Sequence, residues 1–192
     1  AIEVYKPRKE WIKMAEMLDE AVKRNPTQKL ERPIVIDRDN IFLTIEDGAK
    51  TYREEEWGKL YNLSVEYFQK NQFKLAMENL EIAIKMDPSR GESYGTLAAL
   101  YLQKENQEGA KEIALLGIKN APKYALNYQV LADIAIKSDN LDEAEKYYET
   151  AIANTDEPGP IMRQLIFLYI DKGETQRAID YSDVLLDKYP ND

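Results

Sequence analysis

Carboxylates are the side chains that this sequence clusters densely enough to suggest catalysis. Glu54–Glu56 is an unbroken acidic run, and Asp139, Asp142 and Glu143 lie close together. Catalytic carboxylate pairs need contrasting environments, so that one group stays protonated while the other is ionised. Both clusters instead fall at predicted helix starts, where acidic side chains favour the positive end of the helix dipole and remain in solvent. We therefore predict a structural role for both clusters.

The composition excludes several classes of active site. The chain has no histidine and no cysteine, so imidazole or thiolate metal sites, Cys–His nucleophiles and Ser–His–Asp triads cannot form. A calcium loop beginning at Asp37 would need glycine at its sixth position and glutamate at its twelfth, where Phe42 and Gly48 stand. We expect the chain not to be an enzyme, and we expect no metal and no cofactor.

The charge balance limits the classes of partner that are expected. The chain has 26 basic and 35 acidic side chains and a net charge of −9. General nucleic-acid binding needs an excess of Lys and Arg against the phosphates, so nucleic acid is not expected as a partner. No apolar run approaches the ~18 residues of a membrane-spanning helix, so the chain is not expected to span a membrane.

Four alanines reveal an internal repeat. Ala76, Ala110, Ala144 and Ala178 are spaced 34 residues apart, and each follows a leucine by thirteen residues. Apolar spacing and turn residues predict a pair of helices in each copy, with a break inside each pair. The four copies are 57–90, 91–124, 125–158 and 159–192.

Each copy has the same pattern of residue types. In the second copy Tyr94, Leu97, Ala98 and Tyr101 stand on the first helix, and Ala110 stands on the second. This resembles the tetratricopeptide repeat, W-x2-L-G-x2-Y…A-x3-F…P, which has the same period. The resemblance covers about residues 57–192. It implies an all-α fold, a right-handed α-solenoid of helix hairpins. Departures from the pattern, which suggest altered packing, include Ala135 for an aromatic residue and Ile166 for a small one.

Residues 1–50 lie outside the repeat and are predicted to form a separate N-terminal region before the repeats of 51–192. Apolar spacing predicts a helix over 8–24, which Pro26 ends. Two β-rich runs within 27–50 predict a short extended segment or β-hairpin. Its apolar residues either cap the first repeat or lie across the near end of a groove; they are Ile34, Ile36, Ile41 and Leu43. Thr51 and Glu54 form a capping-box pattern, which predicts that the first repeat helix begins at Thr51.

The resemblance also implies a binding surface. In this family the first helices line a concave groove that holds a peptide or a helix, and Gly95 and Ala99 are expected to leave room in its wall. Matched position by position, the groove residues are Tyr61, Val65, Phe68, Gln69, Leu102, Gln103, Gln129, Asp133, Lys137, Arg163, Phe167 and Asp171.

The implied function is a non-enzymatic protein–protein interaction module, a scaffold or adaptor that binds a protein or peptide ligand. Family members that bind chaperone tails hold a terminal carboxylate with a clamp of Lys, Asn and Arg. Recognition of that kind is not expected, because none of the residues at the clamp positions is cationic. These residues are Tyr61, Val65, Thr96, Leu126 and Val130.

Two alternatives remain open at this stage. The last predicted helix is apolar on a face that no later helix covers, which favours a self-associating structural subunit, a homo-oligomer through the C-terminal helix. Its apolar residues are Ile179, Val184, Leu185 and Leu186. The other alternative is the soluble part of a bacterial envelope lipoprotein. The compartment is therefore unknown, either the cytoplasm or the bacterial periplasm or envelope.

Overall fold

The structure, a computed structural model, describes residues 10–35 and 41–189, with only the backbone for 31–35 and 41–43. The predicted all-α architecture with an N-terminal helix and a hairpin insert is confirmed. In chain order the elements are α1 Trp11–Arg24, β1 Lys29–Val35, β2 Ile41–Thr44, α2 Ile45–Gln69, α3 Phe73–Met86, α4 Gly91–Gln103, α5 Gln107–Asn120, α6 Ala125–Lys137, α7 Leu141–Ala153, α8 Gly159–Asp171 and α9 Thr175–Lys188.

The chain divides into two compact units. The first is Ala1–Pro88 and contains α1, the two strands, α2 and α3. The second is Ser89–Asp192 and contains the hairpins α4–α5, α6–α7 and α8–α9. The predicted division of the chain at residue 50 stays a prediction.

The insert forms an antiparallel hairpin in which Ile34 lies opposite Phe42 and Val35 opposite Ile41. The register is irregular between Lys29 and Ile34. The predicted packing of Ile34, Ile36, Ile41 and Leu43 concerns side chains outside those that the structure describes, so both versions of that hypothesis stay predictions.

The first repeat helix begins earlier than predicted. The hydroxyl of Thr44 accepts a hydrogen bond from the backbone N–H of Asp47 (3.2 Å) and caps α2. Thr51 lies inside the helix, where its hydroxyl donates to the carbonyl of Asp47 (3.0 Å). The predicted start at Thr51 is wrong because β2 leads directly into α2, and the last strand residue serves as the cap.

One arginine ties together the three helices of the first unit. The guanidinium of Arg53 donates to the carbonyl of Met86 (2.9 Å), the carbonyl of Ala15 (3.0 Å) and the carboxylate of Asp19 (2.6 Å). Met86 is the last residue of α3, so its carbonyl lacks a partner within that helix. Arg53 therefore satisfies the end of α3 and fixes α1 beside it. Around this contact α1 contributes Met14, Ala15 and Leu18 to a shared apolar core with Ala83 and Met86.

In the second unit each hairpin closes on a repeat alanine. Ala110, Ala144 and Ala178 are buried on the second helices of their hairpins. Small residues at these points let the helix axes approach closely. Helix α5 packs on α6, α7 packs on α8, and α4 lies beside α6. The hairpins of this unit therefore stack in chain order.

The turn inside each hairpin uses one residue with a left-handed backbone. Asn71, Glu105 and Asp139 have φ near +60°, and Gly173 has φ +74°. These positions are 34 residues apart and agree with the breaks predicted from the sequence. The period therefore fixes the turn conformation as well as the helices.

The contact between α5 and α6, which we call a joint, buries a polar side chain at a position that is apolar in the next joint. Asn127 is fully buried, and within the described residues neither atom of its side-chain amide has a hydrogen-bond partner. A Cβ on Gly117 would lie 2.5 Å from the Oδ1 of Asn127. One repeat later the same positions hold Ala151 and Ile161, which are both buried. The α5–α6 joint therefore carries a desolvated amide where the α7–α8 joint is apolar.

An ion network joins α7 to the α8–α9 hairpin. The carboxylate of Glu145 accepts hydrogen bonds from Lys172 and Arg177. The Nζ of Lys172 lies 2.8 Å from the carboxylate of Asp142, and the guanidinium of Arg177 lies 4.2 Å from the centre of the Tyr169 ring. The Glu145 and Lys172 side chains are 13% and 11% exposed, so this pair is shielded from solvent.

The network shifts the pKa of both central groups. Burial alone would raise the pKa of Glu145, but the hydrogen bonds from Lys172 and Arg177 outweigh burial and hold it below the usual value. The carboxylates of Asp142 and Glu145 raise the pKa of Lys172. The ionised pair is therefore the stable state at neutral pH.

We predict that Gly117→Ala and Asn127→Ala are strongly coupled. Gly117→Ala alone should destabilise the protein by about 1–3 kcal/mol, because its methyl group overlaps the Asn127 amide. In the double variant the clash is gone and alanine favours the helix by about 1 kcal/mol over glycine. Urea unfolding of wild type, the two single variants and the double variant should show a coupling free energy of at least about 1 kcal/mol. Additive effects would contradict the contact.

We predict that Glu145→Gln lowers the free energy of unfolding by about 1–2 kcal/mol at pH 7. A carboxylate with a depressed pKa stabilises the fold above its unfolded pKa of about 4.3, and this contribution is lost as pH falls through the folded pKa. The difference from wild type should therefore be full above about pH 5 and shrink toward pH 3. The exposed Glu112→Gln on α5 is the control. A difference that does not change with pH would contradict the network.

Candidate functional site

In the first unit the predicted groove residues lie along one stripe of α2. Tyr61, Val65 and Phe68 share a helix face with Trp57, which the sequence analysis missed although it stands four residues before Tyr61. The rings of Trp57 and Tyr61 stack with centroids 5.4 Å apart. Phe68 is 42% exposed, and Gln69 at the helix end is exposed as well. The stripe is therefore a partly solvent-exposed aromatic surface.

On α4 the groove wall differs from the expectation. Gly95 was expected to leave room, but it is buried, and a Cβ there would lie 2.9 Å from the Tyr124 ring and 3.0 Å from Leu126. The expectation is wrong because the following hairpin stacks closely enough to fill the space. Leu102 is half-buried against the α5–α6 core, whereas Gln103 is exposed at the end of α4.

On α6 the predicted residues have different environments. The carboxylate of Asp133 accepts a hydrogen bond from the hydroxyl of Tyr148 on α7 (2.7 Å). Burial raises the pKa of Asp133, although the Tyr148 hydrogen bond and the charge of Lys137 partly offset that rise. Gln129 is half-buried, and Lys137 is exposed. Asp133 therefore ties α6 to α7, and Lys137 is the most accessible of the three predicted groups.

On α8 the structure exposes two large apolar side chains. Phe167 is 65% exposed, more than any other large hydrophobic residue in the described part of the chain, and Ile170 is 56% exposed. Arg163, Phe167 and Ile170 follow the i, i+4, i+7 spacing of one helix face. Arg163 is half-buried, and Asp171 is exposed. We call Arg163, Phe167 and Ile170 the α8 stripe.

The two acidic clusters have different surroundings, and only the second lies around a helix start. Asp142 lies in the first turn of α7 and bonds to Lys172, which lowers the pKa of Asp142. Glu56, predicted to lie in solvent, is 1% exposed and accepts a hydrogen bond from the Nζ of Lys59 (2.9 Å). The predicted helix-start position of Glu54–Glu56 is wrong because α2 begins at Ile45. All three lie in mid-helix, where Glu54 and Glu55 remain exposed and Glu56 is buried. Among the side chains that the structure describes, no set of three or more carboxylates is placed to hold a metal ion.

A helix that spans a membrane needs about 20 consecutive, mostly apolar residues, and the described helices can be judged by that length and composition. In this part of the chain none of them is both long enough and apolar enough to cross a bilayer.

A sequence model of the tetratricopeptide repeat matches two segments of the chain, 60–90 and 125–155. The first segment contains the C-terminal part of α2 and all of α3, and the second contains the α6–α7 hairpin. No curated protein matches the chain.

Several solved structures share the fold at low sequence identity. A structure of pilF from Pseudomonas aeruginosa aligns with a TM-score of 0.64 and 18% identity over 73% of this chain and 64% of its own. The chain thus spans less than two thirds of that relative. MamA aligns with a TM-score of 0.58 and 17% identity over 96% of this chain and 91% of its own. The first tetratricopeptide domain of Spaghetti, bound to an HSP90 peptide, aligns with a TM-score of 0.55 and 16% identity over 62% of this chain and 94% of its own.

These similarities agree with the internal repeat. Tetratricopeptide repeat proteins are in general non-catalytic adaptors, and their fold supports protein–protein interaction scaffolds. The chain therefore contains two segments that match the tetratricopeptide repeat model, has the 34-residue period of that repeat, and shares the fold of these solved structures.

Proposed function

We propose that this chain is a non-enzymatic interaction module that holds a peptide or helix of a partner protein against its first helices and acts as a scaffold or adaptor. The observation that carries the proposal is the exposure of Phe167 (65%) and Ile170 (56%) on one face of α8. Large apolar side chains that share a face and remain in solvent are typical of contact surfaces. The absence of histidine and cysteine from the sequence supports a role without catalysis.

The α8 stripe has the composition of an interface anchor. Burying an aromatic and an aliphatic side chain removes apolar surface from water, which favours association by about 25 cal/mol per Å². Aromatic residues and arginine are also the residue types that most often dominate binding energy. A ligand would place apolar side chains on Phe167 and Ile170. Lys137 on α6 and Asp171 on α8 are exposed polar groups that could orient it.

The α2 stripe of Trp57, Tyr61, Val65 and Phe68 supports the same kind of contact in the first unit. Its stacked rings present a firm apolar surface, because aromatic side chains lose few rotamers on binding. We propose that this stripe also contacts ligand.

The HSP90 peptide held by the Spaghetti domain is not the ligand type that we propose. The clamp positions in this chain include Val130, which is 2% exposed, and the half-buried Leu126. A carboxylate needs cationic or N–H donors, which apolar side chains at these positions do not supply. We therefore propose an apolar segment of a partner rather than a chaperone tail.

The test is affinity capture from the native organism with quantitative mass spectrometry, using wild type and the double variant Phe167→Ser, Ile170→Ser. The control is Leu115→Ser, Leu116→Ser on α5, because these leucines are 46% and 40% exposed outside the predicted groove. The amount of each partner recovered with wild type and with the control should be at least about tenfold lower with the α8 variant.

Circular dichroism should show that all three proteins remain helical. Equal recovery of the same partners on the α8 variant would contradict the proposed role of α8.

A further inference from the structure

A second apolar surface lies on α9, separate from the first-helix faces. Ile179 and Leu186 are 48% and 52% exposed and stand seven residues apart, with Asp183 between them on the same face. Consecutive residues lie about 100° apart around a helix, so this exposed face adjoins the side of α9 that carries the buried Ala178 and Leu185. Two further exposed acids adjoin it, and we call the set the α9 stripe: Ile179, Asp180, Asp183, Leu186 and Asp187.

The internal repeat allows the same face to be compared on the second helix of the preceding hairpin, α7. On α7 the positions 34 residues earlier are Glu145 and Ile152. Glu145 accepts hydrogen bonds from Lys172 and Arg177 of the following hairpin. Ile152 packs against the core that includes the buried α8 residues. The same face on α7 is therefore a docking face for a helix, and it pairs an apolar contact with a carboxylate that receives cations.

The α5 helix repeats the apolar part of this arrangement. Ile118 is the equivalent of Leu186 and Ile152. It packs against a core to which α6 contributes Val130, Leu131 and Ile134. In both α5 and α7 this position is thus covered by helical side chains, whereas Leu186 remains half-exposed.

The charge of this region decides the class of partner. Residues 139–192 contain 13 acidic and 5 basic side chains, which accounts for 8 of the 9 net negative charges of the chain. Of the cations on α9, Arg177 is already bonded to Glu145 and Glu174. A second copy of the chain would bring Asp183 and Asp187 against the same acids, which disfavours a symmetric pair. A helix that carries Lys or Arg would neutralise them.

We infer that the α9 stripe docks an amphipathic helix of a partner protein, with apolar side chains over Ile179 and Leu186 and Lys or Arg beside Asp183 and Asp187. The two aliphatic residues are about 10.5 Å apart along α9, which matches two turns of an apposed helix. This surface is a second one, distinct from the α8 stripe, so the chain would bridge two partner segments.

The experiment uses a synthetic amphipathic peptide with leucine on one face and lysine beside it, and a matched peptide with glutamate in place of every lysine. Fluorescence anisotropy with the full chain should show at least about tenfold tighter binding of the lysine peptide. That binding should weaken as salt is raised, because the charges are exposed.

Two variants test the assignment to α9. Ile179→Ser with Leu186→Ser should abolish binding of the lysine peptide, whereas Leu115→Ser with Leu116→Ser on α5 should leave it unchanged. Asp183→Lys with Asp187→Lys should reverse the preference toward the glutamate peptide. The Phe167→Ser, Ile170→Ser variant should still bind the lysine peptide, so this inference and the proposed role of α8 can fail separately.

Equal binding of the two peptides, or binding that both α9 variants leave unchanged, would overturn the inference. Light scattering would also contradict the inference if wild type formed a dimer at high concentration and the double variant Ile179→Ser, Leu186→Ser stayed monomeric. That outcome would show that a second copy occupies the stripe.

Discussion

A hairpin of two short helices cannot bury its apolar face without a neighbour, and this constraint organises the second unit. Each hairpin closes on an alanine because a small residue lets two helix axes approach. The remaining apolar side chains then face the next hairpin, so α5 packs on α6 and α7 packs on α8. Stability in such an array comes from the joints as much as from the hairpins.

The two joints of this unit are built from different chemistry. The α5–α6 joint buries the Asn127 amide against Gly117 without a hydrogen-bond partner in the described residues. The α7–α8 joint replaces that pair with Ala151 and Ile161 and adds the network around Glu145. The first joint therefore lacks the apolar pair of the second.

The fold was predictable from the sequence because period, turns and buried alanines repeat locally. The start of α2 was not predictable, because the strand leads directly into the helix. Nothing in the sequence shows that Thr44, and not Thr51, is the N-cap. The filling of the space beside Gly95 depends on Tyr124, the N-cap residue of α6 in the next hairpin. The Asp133–Tyr148 hydrogen bond depends in the same way on the side-chain directions of two helices. Contacts of this kind are set by how helices are stacked, which the spacing of residue types does not specify.

The candidate surfaces follow from what the stacking leaves uncovered. The α8 stripe and the α9 stripe belong to one hairpin, and the second of them lies among most of the excess negative charge of the chain. The groove positions follow from family resemblance and stay a prediction, and the resemblance did not indicate how exposed each side chain is. Phe167, which is 65% exposed, and Asp133, which is held by Tyr148, occupy equivalent repeat positions.

Hydroxyl-radical footprinting of the chain with a captured partner would test most directly whether α8 is a contact surface. Side-chain oxidation reports solvent access residue by residue, and Phe167 is an exposed aromatic ring. The proposed role predicts that the partner strongly reduces labelling of Phe167 and Ile170, while Leu115 and Leu116 on α5 remain labelled as in the free chain. Unchanged labelling of Phe167 together with protection of the α5 leucines would contradict it.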